Sequence, residues 1–117
     1  MNLNVEMEHQ RHVLIVRLSG ELDHHTADLV RMQMDEAIQR RQTEHLILSF
    51  KELEFMDSSG LGVILGRYKF IKQKGGKMAV CDVKPAVYRL LEMSGLFKIM
   101  PIYENEGTAL SGLEVVS

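Results

Sequence analysis

Short apolar runs alternate with stretches of helical periodicity along this chain, and that alternation limits the folds open to it. Val13-Leu14-Ile15-Val16-Arg17-Leu18, closed by Ser19-Gly20, reads as a strand. Leu3 to Met7 reads as an earlier partner in a hairpin, with His9-Gln10-Arg11 as the turn. Residues 24 to 41 read as a helix, with Ala27, Val30, Met34, Ala37 and Ile38 on one face. His45 to Phe50 is the next apolar run, and residues 58 to 74 follow as a second helix ended by Gly75-Gly76. Met78 to Cys81 reads as a strand. Pro85 and Gly95 bracket a short helix in the usual proline-first, glycine-last order. Ile99 to Ile102 reads as a strand, placed at an edge or sheet end because of Pro101. Residues 107 to 115 close the chain as a weaker helix.

This order predicts an α/β fold: a small mixed sheet, partly parallel, entered through an N-terminal hairpin. The 117 residues suit one domain, 1 to 117, with one core. Apolar residues make up 45% and charged residues 26%, ordinary for a globular chain. The formal net charge is -2 with both signs interspersed, so neither nucleic acid nor an anionic membrane is an expected partner. Lysines 69, 72, 74 and 77 gather near Gly75-Gly76, where bases favour a helix C-terminus. One cysteine, Cys81, lies in an apolar run and reads as a core residue. A single cysteine allows no intrachain disulfide, which fits a reducing cytoplasm. No segment reads as a membrane span or a signal peptide.

The run Phe55-Met56-Asp57-Ser58-Ser59-Gly60-Leu61-Gly62 holds the chemistry. An acid, two hydroxyls and a glycine sit where a strand gives way to a helix. The first N–H groups of a helix have no intrahelical acceptor, and the helix dipole is positive there. Such residues are caps, or they mark a place where an anion is added or bound. One cap needs one hydroxyl; here there are two. A phosphate at this helix start would face free N–H groups and the repelling Asp57, a local change of about two charges. That is the chemistry of a switch. These physical grounds do not choose between Ser58 and Ser59.

In the second helix, Leu61, Ile64, Leu65, Tyr68 and Ile71 form the expected core face. Gly62 and Gly66 share one flank with Lys69 and Gln73. Each glycine costs about 1 kcal/mol relative to alanine in an exposed helix. Close packing inside the fold and close approach of a partner both account for them. Val63 and Phe70 are expected opposite the core stripe, as a spare apolar pair beside the glycines. Asp23, between a strand and a helix, reads as an N-cap. Its loop shares a sheet edge with the Ser58 loop, where it would add a charge for a basic partner.

Catalytic readings are weaker. Gly60, Gly62 and Gly66, with Asp82 further on, resemble a dinucleotide-binding turn, the alternative reading of this chain as a small nucleotide-binding domain. The spacing is one residue too long, and the first glycine comes about ten residues past the expected strand end. No P-loop lysine–hydroxyl pair and no nucleophile elbow is present. The histidines at 9, 12, 24, 25 and 45 are expected in surface or cap roles, and no metal site or cofactor is expected.

GELDHHTA at 20 to 27, FMDSSGLGVILGRYK at 55 to 69 and SGLFKI at 94 to 99 resemble the anti-sigma factor antagonists of the STAS domain family. The likeness runs through the whole chain, and the segment 57 to 62 is its most specific part. It implies a sheet with helices packed mainly on one face. It implies that Ser58 is phosphorylated by an anti-sigma factor that is itself a serine kinase using ATP. The unphosphorylated protein would bind that kinase in its ADP-bound form and release the sporulation sigma factor sigma-F. A PP2C-type phosphatase would reset it. The protein would be a cytoplasmic ligand and substrate, not an enzyme, acting in the predivisional cell and forespore. Asp23, Asp57, Ser59, Gly60, Leu61, Gly62, Val63 and Gly66 would line the partner surface, with Phe70 at its margin.

Overall fold

The computed structural model describes residues 2–114. The chain runs β1 (Leu3–Gln10), β2 (Val13–Leu22), α1 (Ala27–Arg40), β3 (His45–Met56), α2 (Ser58–Gln73), β4 (Met78–Cys81), α3 (Pro85–Ser94), a 3-10 turn (Leu96–Lys98), β5 (Ile102–Tyr103) and α4 (Glu106–Glu114). Val115, the expected end of the last helix, lies outside the described residues.

The strands form one sheet in the order β1-β2-β3-β4-β5. β1 pairs antiparallel with β2, and the other three pairings are parallel. The mixed sheet and its hairpin entry are as expected. The hairpin closes at Gln10 opposite Val13, so its turn is Arg11-His12 rather than 9 to 11. Arg11 takes the left-handed conformation (φ 56) that so tight a connection demands.

Side chains alternate across the sheet. Leu14, Val16, Leu18, Leu46, Leu48 and Phe50 face a large core shared with α1, α2 and α3. Val13, Ile15, Ile47, Ala79 and Cys81 face the other side, under Ala109 and Leu113 of α4. Parallel strands need cover on both faces, and α4 supplies it on the second. Completely buried side chains such as Ile64 and Leu48 each contribute about 1.5–3 kcal/mol.

Four expectations change. β3 does not stop at Phe50 but continues to Met56, pairing with β2 up to Leu22. Lys51, Glu52 and Glu54 are exposed while Leu53 and Met56 stay buried, so the strand persists with one face wet. α1 begins at Ala27, not 24, because residues 24 to 26 form a turn held by Asp23. The last short strand shifts from 99–102 to Ile102–Tyr103, since the 3-10 turn and Pro101 intervene; it keeps its edge position. His45 is buried, and its Nδ1 accepts the Lys77 N–H at 3.0 Å, so it is no surface histidine.

Gly75-Gly76 ends α2 as expected, with Gly75 left-handed (φ 83). A Cβ at Gly76 would overlap the Glu44 carbonyl oxygen, so the chain passes too close there for any side chain.

Candidate functional site

Parallel pairing of β2 and β3 sets Leu22 beside Met56. The segments that leave these two strands therefore meet at one edge of the sheet. Asp57 is the hinge between them. Its backbone is extended (φ -115, ψ -168), and its N–H donates to the Leu22 carbonyl at 3.2 Å. Its Oδ1 accepts the Ser59 N–H at 2.8 Å and caps α2. Its Oδ2 accepts the His24 N–H at 3.3 Å, with the His24 ring Nδ1 at 3.6 Å. Partial desolvation would raise this carboxyl, but the N–H groups of Ser59, Gly60 and His24 and the His24 ring together hold it below the usual aspartate range. The cap reading of Asp57 is thus met, and the same carboxylate also ties two loops together.

Ser58 is the first residue of α2 and is exposed; Ser59 is half-buried. Gly62 and Gly66 follow Ser58 at successive steps of four on the same helix face. A Cβ at either glycine would meet nothing within 4 Å beyond the helix's own backbone. Packing inside the fold therefore does not explain these two glycines. They leave a strip of bare backbone running away from Ser58, bordered by half-buried Leu61 and Leu65.

The two residues expected opposite the core stripe turn inward. Val63 is only 5% exposed and belongs to the core, so the apolar pair expected with Phe70 does not exist. The buried face of α2 is Gly60, Val63, Ile64, Arg67 and Ile71, rotated from the expected stripe; Leu61, Leu65 and Tyr68 are its half-covered border. The cause is α1. It packs beside α2 and places Asp35 3.0 Å from Arg67, drawing the Val63–Arg67 flank into the interior. Phe70 is half-buried against the core, with Lys74 Nζ 5.6 Å from its ring centre.

Gly60 serves packing rather than a partner. A Cβ there would fall 2.5 Å from Met56 Cγ and 3.0 Å from Leu22 Cγ. In a dinucleotide fold the first glycine makes a tight turn and the second leaves room for pyrophosphate; here Gly60, in the first place, is packed under Met56 and Leu22, while Gly62, in the second, is open. The longer β3 removes one objection to that fold, since helix α2 follows the strand at once, but the glycine spacing still departs from it.

Asp23 is 2% exposed. Its Oδ1 accepts the His25 and Thr26 N–H groups at 2.8 and 3.2 Å, so it braces its own turn and offers no charge to a partner. Its loop does lie beside the Ser58 loop as expected. His24 and His25 are exposed there, and His24 reaches Asp57; no spacing in the sequence singles that contact out, because it arises from strand pairing. Among the described residues no group of acids, histidines or cysteines is placed to hold a metal ion. Cys81 is completely buried, and burial pushes its thiol up to about 12.

Comparison with known proteins fits this geometry. The STAS domain model matches residues 4–109. This chain belongs to the STAS domain family. Among STAS relatives, the anti-sigma F factor antagonist of Paenibacillus polymyxa is 80% identical over the full length of both chains. The solved structure of the anti-sigma factor antagonist SpoIIAA in its unphosphorylated form is 28% identical, covers 95% of this chain and 98% of its own, and superposes with a TM-score of 0.74. The phosphorylated form of the Bacillus cell fate determinant SpoIIAA is 31% identical, covers 92% and 97%, and gives the same score. No helix among the described residues is long and apolar enough to cross a membrane.

Proposed function

We propose that this chain acts as a single STAS domain and as the antagonist of an anti-sigma factor for sigma-F, switched by phosphate on Ser58. One observation carries the reading. Ser58 is an exposed hydroxyl at the start of α2, at the head of a flank where exposed Gly62 and half-buried Gly66 have no packing neighbour at the Cβ position. Unphosphorylated, Ser58, Ser59, Leu61, Gly62 and Gly66 form a low ridge on which a partner can sit close to the helix backbone. Asp57 holds this ridge in register with His24.

Phosphate on Ser58 places about two negative charges beside the Asp57 carboxylate and over the partner contact. The N–H groups at the helix start accommodate it, so the domain keeps its fold while the partner is repelled. The partner is an anti-sigma factor that is itself a serine kinase, bound in its ADP form and using ATP to modify Ser58. A PP2C-type phosphatase restores the free hydroxyl. The domain works in the cytoplasm of the predivisional cell and forespore, and it is a substrate and ligand, not an enzyme.

Incubation with the cognate kinase and ATP, followed by peptide mass mapping, tests this. Phosphate is expected on Ser58, and Ser58→Ala should bind the kinase yet take up none. Phosphate on Ser59 alone would overturn the assignment.

A further inference from the structure

Among the described residues β1 is a free sheet edge with two differently furnished sides. The Asn2 carbonyl accepts the Glu21 N–H at 2.9 Å, and Leu3 pairs with Gly20, Asn4 with Ser19, and so on to Gln10 with Val13. In such a ladder, hydrogen-bonded and non-bonded pairs alternate. Asn4, Glu6 and Glu8 therefore spend their backbone groups on β2, while Leu3, Val5, Met7 and His9 turn theirs outward. The side chains of Leu3, Val5 and Met7 are half-buried on the α1 side. There, two adjoining hollows of about 370 and 660 Å³ share Val5 and Gln33 as lining; Leu29 of α1, 62% exposed, walls the larger, and Ala37 with Glu36, Arg40 and Arg41 walls the smaller. On the opposite side Glu6 and Glu8 share one guanidinium, Arg17, with Glu106 of α4. Three carboxylates against one cation leave that side negative.

Sheet edges are commonly blunted by lysine, proline or a bulge, and β1 carries no lysine and no proline. We propose that β1 is a docking edge for an extended peptide segment with alternating apolar and basic residues. The segment adds a sixth strand by hydrogen-bonding to Leu3, Val5, Met7 and His9. Its apolar side chains enter the hollow between β1 and α1, and its basic side chains face Glu6 and Glu8. A second copy of this chain fits less well, because pairing β1 with β1 sets glutamates against glutamates.

The test titrates the isotope-labelled full chain with the synthetic peptide Lys-Val-Lys-Ile-Lys-Val-Lys. Saturable binding is expected, with amide shifts and slowed exchange at Leu3, Val5, Met7 and His9. Combined Glu6→Lys and Glu8→Lys, both at wet positions, should keep the circular dichroism spectrum, weaken this peptide about tenfold or more, and favour Glu-Val-Glu-Ile-Glu-Val-Glu instead. No binding at about 1 mM peptide, shifts centred away from β1, or affinity indifferent to the charge reversal would each overturn the proposal. So would self-association in sedimentation that gives the same β1 shifts without peptide.

Discussion

The Asp57 carboxylate accepts the His24 backbone N–H across the sheet edge, 3.3 Å away, while its other oxygen caps α2 through Ser59. One side chain thus holds both loops that frame Ser58. Asp57→Ala removes the cap and the cross-loop bond, and should cost about 1–2 kcal/mol in urea unfolding at neutral pH. The loss should come with larger amide shifts at His24 than in α1. Unaltered His24 shifts would show that the two loops are positioned independently.

The same carboxylate makes a signed pH prediction. Its folded pKa lies below its unfolded value, so its contribution is complete above the unfolded value of about 3.9. It is lost as pH falls through the lower folded pKa. Asp57→Asn keeps a capping side chain without the charge. The stability gap between the native chain and Asp57→Asn should therefore be largest near neutrality and shrink as pH falls below about 4. A gap that stays constant over that range would contradict the assignment.

Gly60 and Gly62 should respond oppositely to alanine. At Gly60 the new methyl meets Met56 and Leu22, and overpacking of this kind costs about 1–3 kcal/mol. At Gly62 it enters open space, and the gain in helix propensity should stabilise the fold by about 0.5–1 kcal/mol. A large residue at Gly62 should keep the fold yet weaken binding to the anti-sigma partner, measured by titration calorimetry. Unchanged affinity would remove the glycine strip from the interface.

Arg67 lies 3.0 Å from Asp35 but makes no well-aligned hydrogen bond through Nε or Nη1. Burial lowers its pKa, with the Asp35 carboxylate opposing. The close distance marks an attraction between charges, and the orientation wastes part of it. Asp35→Ala should therefore destabilise by about 2 kcal/mol by stranding the guanidinium. Arg67→Met should be near neutral or stabilising, since an apolar side chain of similar reach removes the desolvation cost. Chemical denaturation of the two variants distinguishes these outcomes.

Cys81 should report global unfolding. Its thiol is sealed between β4 and α4 and held up to about 12 by burial, so little thiolate forms at pH 8. Labelling by a disulfide reagent should follow the unfolding equilibrium, rising in step with urea. Fast labelling of the native chain would reveal that α4 opens on its own.

Much was legible in the sequence because local chemistry carried it. The alternation of apolar runs and helical stretches set the element order, and the Pro85 to Gly95 bracket set α3. Asp57 announced the cap of α2, and the position of Ser58 at the helix start followed from it. Those features depend on neighbours within a turn or two of chain.

Tertiary structure decided what local pattern could not reach. Periodicity placed Val63 outside, and the approach of α1, with Asp35 beside Arg67, turned that flank inward. Asp23 and Gly60 carried residue types that suit a partner site, yet neighbouring backbone and side chains consume both. Parallel pairing of Leu22 with Met56 brought His24 to Asp57, a contact between residues far apart in the chain. The sequence by itself determined where the helix starts and which hydroxyls stand there, because capping is short-range. Which face of that helix remains bare was settled only by the elements packed around it, because burial depends on everything that the chain folds against.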